Sequence, residues 1–418
     1  MVVSPVLIAL FILLLVTSYY GDEVYRLAAA IAFFGHVFVS LVLVPLVPYS
    51  WDIGNFHDVA IGITSGELVS ASSTVTSFGT FQGFLYIFFP SQPETVAVFN
   101  GLFAILVFLP IVYLCKRLYP QLLGNHYGVM VFVLFLPLPF YLLSIPMRDS
   151  LSVLLLFTLL ALGLHALLTR NTLLGLTWIP LWGMMYLFRP ELALVLMLGF
   201  AAAIAVGTIR AVDADLSLPG LTAVLGTIGM VGVGLFAEFM YSLDRANAEL
   251  SYRASGGAVY LEGMQYSSWF DFLLAAPARA LYFQFAPFPL HVEQIFHLLG
   301  FSMTPIVIIL FISAARSLYE CEYDETVAVL LVVVYLAGIT GYGLINSNFG
   351  TNVRHRIVFD FLLVVMAAPV IKRWELQVRE WLGVVPGDGR QDDEQQRETE
   401  KLDRHVYARG QYPNETKD

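Results

Sequence analysis

Long apolar runs follow one another along most of the chain, and short polar turns separate them. A helix that crosses a membrane needs about 20 predominantly apolar residues. Runs that reach this length, or reach it when their ends are extended by a few residues, lie at 3–19, 27–48, 96–114, 127–146, 150–168, 171–188, 191–209, 219–241, 300–315, 326–344 and 357–371. The pattern predicts an all-α fold, a polytopic transmembrane helical bundle of about 11 spans.

Two further segments, 51–95 and 242–298, are apolar but interrupted by Gly, Pro, Ser and aromatic residues. We interpret both as long outer loops that carry amphipathic or re-entrant helices. The N-terminal run resembles a secretory signal but lacks a positive n-region and a small-residue cleavage site, so we expect a retained first span. The chain then divides into N-terminal spans (1–48), a first long outer loop (49–95), central spans (96–241), a second long outer loop (242–299), C-terminal spans (300–372) and an acidic, disordered cytoplasmic tail (373–418).

Composition narrows the class of protein. Of the 418 residues, 58% are hydrophobic and 13% are charged, which is about half the charged share of a soluble domain. These values exclude a soluble enzyme, a disordered protein and a nucleic-acid binder with a basic face. Cys115 and Cys321 fall near expected cytoplasmic span ends and have no metal-ligand partner at useful spacing. We therefore expect neither a disulfide framework nor a cysteine metal site.

The basic residues between spans orient the bundle. One topology places eight of them in the cytoplasm and seven outside, with the N-terminus outside and the acidic tail inside. The cytoplasmic set is Arg26, Lys116, Arg117, Arg170, Arg210, Arg316, Lys372 and Arg373. The outer set is Arg148, Arg189, Arg245, Arg253, Arg279, Arg354 and Arg356. Every lysine is then inside, and the outer cations are all arginine, whose planar fork of donors suits phosphate or carboxylate.

The same topology brings the unusual polar residues of the chain to one membrane face. They lie in the segments 51–58, 148–149, 189–191, 253–262 and 346–356. Ionisable residues at or inside a membrane are costly and suggest a functional site by default.

Asp52 and Asp58 are the candidate catalytic residues of the first outer loop. A carboxylate at the membrane interface, beside a second carboxylate and His57, can act as a general base on a hydroxyl group. The alternative is a pair of solvated loop acids, with Asp58 capping a short helix that starts at Val59.

Arg354, His355 and Arg356 stand immediately before the last expected span. If this turn is extended, residues i and i+2 point the same way, and both arginines can grip one phosphate. In a helix the two side chains would diverge. The alternative role is snorkelling to lipid headgroups, although neighbouring asparagines, including Asn352, favour a structured polar loop that binds substrate.

Arg148 and Asp149 open one expected span, and Arg189 with Glu191 opens another. Asp149 can cap its helix, and Pro190 followed by Glu191 suits a first turn, so the acids have a structural explanation. Arg148 and Arg189 have no such structural explanation. We take all four charged residues as candidate substrate-binding residues.

The second outer loop adds Arg253 and Tyr260 to these candidates. Tyr260, with Trp269, Tyr282 and Phe285, either stacks on a sugar or belongs to an interfacial aromatic belt.

Several motifs occur in an order that resembles a known group of enzymes. They are Trp51-Asp52, Phe56-His57, Ala60 and Gly66 in the first loop, then Phe99-Asn100, Ser144-Ile145-Pro146-Met147-Arg148-Asp149, Phe188-Arg189-Pro190, Phe285-Ala286-Pro287-Phe288-Pro289 and Asn352-Val353-Arg354-His355-Arg356. Together they resemble the GT-C-type membrane glycosyltransferases, including the protein-O-mannosyltransferase-like and lipid A arabinosyltransferase-like families. The resemblance covers most of residues 45–372. It implies a polyprenyl-phosphate-linked sugar donor and a catalytic aspartate at the position of Asp52.

The leading hypothesis is a multi-pass membrane glycosyltransferase, inverting at the sugar, with its active site on the extracytoplasmic face. Its partners are a polyprenyl- or dolichyl-phosphate-linked sugar donor, a glycan, lipid or protein acceptor, and membrane lipid. No nucleic acid is expected. No cofactor is required, because arginines can supply the positive charge, and a divalent metal ion held by Asp52 and Asp58 is the alternative. Three other functions stay open: an O-antigen or exopolysaccharide-type polymerase or ligase, a transporter of lipid-linked glycans, and a structural subunit without a site.

Overall fold

The computed structural model describes residues 2–46, 52–67, 69–122, 124–211, 242–254, 258–261, 263–292 and 295–383. In these ranges the backbone forms helices and turns, with no strand and one isolated antiparallel bridge between Val259 and Asn348. The all-α class predicted from the sequence is therefore confirmed for this part of the chain. The expected span at 219–241 and the tail beyond residue 383 lie outside the described residues.

The helices are numbered in chain order. The first group is α1 (Val3–Tyr20), α2 (Glu23–Phe38), α3 (Val44–Leu46), α4 (Ile53–Ser65), α5 (Ser73–Phe88), α6 (Pro93–Leu106), α7 (Phe108–Leu118), α8 (Tyr127–Phe135) and α9 (Pro137–Leu143). The second group is α10 (Asp149–Thr169), α11 (Thr172–Phe188), α12 (Pro190–Ala211), α13 (Leu243–Arg253), α14 (Trp269–Phe285), α15 (Ile295–Glu320), α16 (Glu325–Ile345), α17 (Phe349–His355), α18 (Ile357–Met366) and α19 (Ala368–Trp381). A π-helical segment, Val39–Leu43, joins α2 to α3 without a break.

Seven helical stretches of the described chain are long and apolar enough to cross a membrane. They are Val3–Tyr20, Glu23–Leu46, Pro93–Leu118, Asp149–Thr169, Pro190–Ile209, His297–Glu320 and Glu325–Ile345. Two other expected spans are shorter, since Thr172–Phe188 has 17 residues and Ile357–Met366 has 10. These helices support a multi-pass integral membrane protein, whereas the total of about 11 spans stays a prediction.

Proline divides the run expected at 127–146. Helix α8 ends at Phe135 and α9 begins at Pro137, and Leu136 between them has ψ 121°, outside the helical range. Proline lacks an N–H group and disfavours the helical conformation in the residue before it. The run therefore forms two short helices rather than one span.

Polar contacts between helix termini mark two ends of the bundle. At one end the Asp324 N–H group donates to the Leu118 carbonyl at 2.9 Å, and Arg373 pairs with Glu320 at 3.2 Å. The start of α4, the start of α10 and the end of α16 lie at the other end, here termed the cavity end.

Helices α14 and α16 approach each other very closely, and Gly343 is at the contact. A Cβ atom at this position would lie 2.6 Å from the carbonyl oxygen of Arg279, which is a backbone atom of α14. Packed protein interiors do not accommodate such a distance, so the two helices can pack in this way only because residue 343 has no side chain.

We expect Gly343→Ala to lower the free energy of unfolding by about 1–3 kcal/mol, because the added methyl group must displace the backbone of α14. Gly341→Ala is the matched control, since nothing lies within 4 Å of the Cβ position there. Its place inside a helix predicts unchanged stability or a gain of up to about 1 kcal/mol. Unfolding of both variants in detergent measures the difference, and equal stability would contradict the close contact.

Candidate functional site

A cavity of about 910 Å³ occupies the cavity end of the bundle. Its polar and charged lining residues are Asp52, Asn55, Asp58, Ser70, Ser72, Thr74, Tyr141, Arg148, Tyr252, Arg253, His297, Asn348, Thr351, Arg354 and His355. Its apolar lining includes Val69, Val75, Leu138, Leu142, Leu299, Phe349 and Val353. The cavity therefore presents charges of both signs next to apolar surface.

Asp52, Asn55 and Asp58, here termed the acidic wall, recur at every third position and line the cavity from α4. Asp52 is the N-cap residue of α4, but its carboxylate makes no hydrogen bond to the N-terminus of that helix. Asp58 lies inside α4 and is exposed, so the alternative in which it caps a helix starting at Val59 is wrong. Neither carboxylate is thus used to begin a helix, and both face the space where a ligand would lie.

His57 does not line the cavity, although we expected it to bind substrate. Its Nδ1 atom lies 2.9 Å from the Tyr86 hydroxyl of α5, and the Gln82 amide donates to the same hydroxyl at 2.5 Å. In α4, His57 is adjacent to the cavity-lining Asp58, but successive residues of a helix point about 100° apart. The side chain therefore joins α4 to α5, and we correct its assigned role to a structural one.

Arg148, Arg253 and Arg354, here termed the basic wall, line another part of the cavity. Arg148 donates from Nη1 to the Phe188 carbonyl at 3.1 Å, and burial is the main cause that lowers its pKa to about 10. Arg253 pairs through Nε with Glu249 at 3.2 Å on the same helix turn. These contacts fix part of each guanidinium group, and both residues line the cavity.

The charge of Asp52 acts on Arg354, so the two walls are within electrostatic reach of each other. Burial lowers the pKa of the Arg354 guanidinium, and the neighbouring Arg189 and Arg253 lower it further. The carboxylates of Asp149 and Asp52 oppose this effect. An anion bound near Arg354 would add to the stabilisation that these carboxylates provide.

Asp149 lies beneath the basic wall and is shared by two arginines. Its Oδ1 atom pairs with Nη2 of Arg189, and its Oδ2 atom lies 3.3 Å from Nε of Arg354. All three side chains are largely buried, with Asp149 only 6% exposed. Asp149 is the first residue of α10, so its carboxylate lies at the positive end of the helix dipole. From there it neutralises both arginines. Asp149 and Arg189 therefore position Arg354 and do not themselves line the cavity.

His355 lies between two arginines. Its Nε2 atom is 2.8 Å from Nη1 of Arg189 and 3.4 Å from Nη2 of Arg354. Because arginine only donates hydrogen bonds, Nε2 is the acceptor nitrogen of the ring. Burial, followed by the charges of these arginines, holds the pKa of His355 well below its usual value, so the ring is neutral. The ring packs edge-on against Tyr342, with centroids 5.1 Å apart.

Glu191 also lies behind the lining. It is in the first turn of α12, where its charge opposes the lowering of the Arg148 pKa by burial and, after Asp149, helps to raise the pKa of Arg189. Its Oε2 atom is buried and has no hydrogen-bond partner among the described residues. Glu191 therefore contributes negative charge to the arginine cluster from a position outside the cavity surface.

Arg356 points away from the cavity, contrary to the expectation that it shares one phosphate with Arg354. The segment Phe349–His355 is helical, so side chains two residues apart diverge. The Arg356 guanidinium is fully buried and donates from Nη1 to the Ala286 carbonyl at 2.6 Å. Its Nε atom lies 3.7 Å from the Asp360 carboxylate. Arg356 thus forms an internal ion pair with Asp360, and its bond to Ala286 anchors the end of α14.

Tyr260 and Asn352 form a buried hydrogen-bonded network instead of lining the cavity. The Tyr260 hydroxyl donates to the Asn346 carbonyl at 2.7 Å and accepts from the Asn352 amide at 2.8 Å. The Tyr260 ring stacks on Tyr282 with centroids 5.3 Å apart, and burial raises its pKa to about 12. The stacking partner is therefore a side chain of α14 and not a sugar, and we correct both assignments.

Several polar lining residues are not among the predicted catalytic or substrate-binding residues, and they include Asn55, Tyr141, Tyr252 and His297. Asn55 could have been found from its spacing to Asp52, had α4 been predicted to begin at residue 53. His297 lies at the start of α15, where its buried ring packs edge-on against Phe349 at 4.7 Å. No pattern in the sequence signals that contact.

Comparisons with known protein families, with curated proteins and with solved structures find no match to this chain. The resemblance to GT-C-type enzymes therefore stays a prediction. In the part of the chain that the structure describes, no group of three or more His, Cys, Asp or Glu side chains could hold a metal ion.

Removal of the carboxylate that Arg189 and Arg354 share should destabilise the folded protein. We expect Asp149→Asn to lower the free energy of unfolding by about 3–5 kcal/mol, because two buried arginines lose their counter-charge. Glu249→Gln is the matched control, since its ion pair with Arg253 is partly exposed and is worth at most about 1 kcal/mol. Equilibrium unfolding of both variants in mixed micelles gives the comparison. A stable Asp149→Asn variant would show that this carboxylate does not hold the arginines together.

Proposed function

We propose that the protein is a membrane glycosyltransferase. It transfers a sugar from a polyprenyl- or dolichyl-phosphate donor to a glycan, lipid or protein acceptor at the extracytoplasmic face. One observation carries the proposal: an acidic wall and a basic wall line one cavity that also has apolar surface. Transfer from a lipid phosphate needs a base for the acceptor hydroxyl and positive charge for the leaving phosphate. The two walls hold residues suited to each task.

Asp52 is the proposed general base. Its carboxylate lines the cavity, is partly buried and does not cap its own helix. In the proposed step the acceptor hydroxyl oxygen attacks the anomeric carbon, and its proton passes to the Asp52 carboxylate. The bond between the anomeric carbon and the phosphate oxygen breaks, and the electron pair leaves with the phosphate. A single displacement of this kind inverts the configuration of the sugar.

The basic wall would hold the phosphate. Arg354 and Arg148 come from different helices, and their side chains are restrained by Asp149 and by the Phe188 carbonyl. Preorganised donors in a site of low dielectric stabilise charge that develops during the reaction more strongly than water does. Arg253 would approach the same anion from α13. Asp58, exposed on the acidic wall, suits a hydroxyl of the acceptor or, with Asp52, a divalent metal ion as the alternative source of positive charge.

The apolar surface of the cavity suits the lipid part of the donor. Leu138 and Leu142 belong to α9, Leu299 to α15 and Val353 to α17. Val353 is adjacent in the chain to Arg354, so apolar and phosphate-binding surface meet at one place. A polyprenyl phosphate has this same arrangement, with an apolar chain joined directly to an anion.

The position of the cavity favours group transfer over transport. The residues of both walls belong to the cavity end, whereas the opposite end contains ion pairs such as Lys372 with Glu375 at 3.0 Å. Transport by alternating access needs a site near the middle of the membrane that each face can reach in turn.

We expect Asp52→Asn to reduce sugar transfer by at least about 100-fold, because a general base contributes about 10²–10⁴-fold to the rate. The variant should fold, since the Asp52 carboxylate makes no capping hydrogen bond. The measurement is mass spectrometry of lipid-linked and surface glycans in cells that lack the gene and carry each variant. A glycan shortened by one sugar, with accumulated sugar-charged lipid, is the expected result.

Asp244→Asn is the matched control, because it makes the same chemical change at an exposed residue in the first turn of α13, outside the cavity lining. It should restore the wild-type glycans. Full restoration by Asp52→Asn would contradict the assignment of the base. Glycans that do not change when the gene is removed would contradict glycosyl transfer, and accumulated single repeat units would indicate a polymerase.

A further inference from the structure

The hairpin of α4 and α5 forms a hydrogen-bonding side of the large cavity. The two helices pack closely, since a Cβ atom at Gly79 would lie 2.5 Å from the Val59 side chain. Both helices and the connection between them line the cavity. Their polar lining residues are Asp52, Asn55, Asp58, Ser70, Ser72 and Thr74. This side of the cavity therefore combines two carboxylates, one amide and three hydroxyl groups.

The residues that begin α4 and α5 do not use their polar side chains for the helices. Asp52 is the N-cap residue of α4 and Ser72 is the N-cap residue of α5, yet neither side chain makes a capping hydrogen bond. Such side chains commonly accept a hydrogen bond from the first turn of the helix. By contrast, Ser77 and Thr80 of α5 donate to carbonyl groups of their own helix at 2.8 Å, and they do not line the cavity. Two side chains that could stabilise the hairpin thus line the cavity instead.

This set of polar groups matches the hydroxyl groups of a sugar ring. A hydroxyl or an amide can both donate and accept a hydrogen bond, and a carboxylate accepts. Each hydroxyl group of a sugar also donates and accepts, so it finds a partner on the hairpin in either role. The cavity volume of about 910 Å³ lies in the upper part of the range for small-molecule sites, about 300–1,000 Å³. It therefore has room for an acceptor beside the sugar phosphate of the donor.

A lipid acceptor would need apolar surface in addition to the surface that suits the donor lipid. That surface comes from Leu138, Leu142 and Leu299, which belong to α9 and α15. The apolar lining of the hairpin is Val69, Ala71 and Val75. Of these, Val69 packs over α4, because a Cβ atom at Gly62 would lie 2.6 Å from one of its methyl carbons. The hairpin is thus a predominantly polar surface and a poor match for a lipid chain.

A peptide acceptor is also a poor match for this surface. Peptides are commonly held by pairing with an exposed strand or by an apolar groove that takes one face of a helix. The described part of the chain contains no strand, and the hairpin offers small hydroxyl side chains where such a groove needs apolar ones.

We propose that the acceptor is a glycan, and that the α4–α5 hairpin binds the hydroxyl groups of its terminal sugar. This inference rests on the proposed glycosyl transfer and selects one of its three acceptor classes. A hydroxyl oxygen of the terminal sugar forms the new bond to the anomeric carbon of the donor, and its proton passes to Asp52. The phosphate leaves with the electron pair of the broken bond. Asn55, Ser72 and Thr74 bind the acceptor and take no part in bond formation.

The first test is linkage analysis of the sugar that is lost when the gene is removed. Glycans, glycoproteins and glycolipids are isolated from cells with and without the gene. We expect the lost sugar to be bound to a hydroxyl group of another sugar. A lost sugar that was bound directly to a protein side chain or to a lipid would overturn this inference and leave the transferase intact. No lost sugar at all would overturn the transferase, and this inference with it.

The second test measures transfer by the purified full-length protein in nanodiscs. The donor is the sugar-charged lipid that accumulates in cells lacking the gene, and the acceptor is the shortened glycan released from the same cells. Ser72→Ala and Thr74→Val should each raise the KM for the glycan by about two- to tenfold, the effect of losing one neutral hydrogen bond. The kcat value and the KM for the donor should not change, whereas a general disturbance of the fold would alter both.

Ser77→Ala and Thr80→Val are the matched controls, because they make the same chemical changes in α5 outside the cavity lining. Both should keep the wild-type KM for the glycan, and an equal rise in the controls would overturn the proposal. Asn55→Ala, at an exposed position of α4, takes the place of a hydroxyl variant that does not fold. An unchanged KM for the glycan in all lining variants, or a rise only in the KM for the donor, would also overturn it.

Discussion

One buried carboxylate, that of Asp149, allows several arginines to gather at one end of an apolar bundle. Without it, the guanidinium groups of Arg189 and Arg354 would repel each other in surroundings of low dielectric. Asp149 begins α10, Arg189 joins α11 to α12, and Arg354 belongs to α17. The same interaction therefore connects distant parts of the chain and aims Arg354 at the cavity. The packing of the helices and the electrostatics of the site depend on each other through this group.

Arginine has three different environments at the cavity end. Arg148 and Arg354 present part of their surface to the cavity, whereas Arg189 and Arg356 are enclosed by carboxylates and carbonyl groups. Arg279, fully buried, donates to the hydroxyls of Tyr266 and Ser347. The residue type indicates only that a cation is present. Its role depends on whether its partners come from the chain or from a ligand in the large cavity.

The helical membrane class and the approximate position of the site could be predicted from the sequence, because charged residues stand out in an apolar chain. Asp52, Arg148 and Arg354 were identifiable on this basis, and the structure places all of them along one cavity. The direction of each side chain could not be predicted. Arg356 shows this, because the difference between an extended turn and a helix over 349–355 decides where it points.

Other outcomes depend on tertiary contacts that no local pattern encodes. The His57 side chain does not line the cavity because it is hydrogen-bonded to the hydroxyl of Tyr86, which lies 29 residues later in the chain. The Tyr260 hydroxyl is hydrogen-bonded to Asn346 and Asn352, which lie 86 and 92 residues later in the sequence. Such partners become neighbours only after the helices have packed. A sequence with so few polar residues therefore identifies the candidates for a site more readily than it distinguishes ligand-binding residues from structural ones.

The neutral state of His355 gives proton movement in the cavity a direction. Arginine remains protonated at all ordinary pH values, and Nε2 of His355 is already occupied by Arg189. Among the described residues, the basic wall and His355 thus offer no free proton acceptor, whereas the acidic wall offers the two carboxylates of Asp52 and Asp58. Asp58 is exposed, so the acidic wall is open to solvent. In the proposed reaction the proton taken from the acceptor hydroxyl and the phosphate released from the donor would leave along opposite walls, and this separation would oppose the reverse reaction.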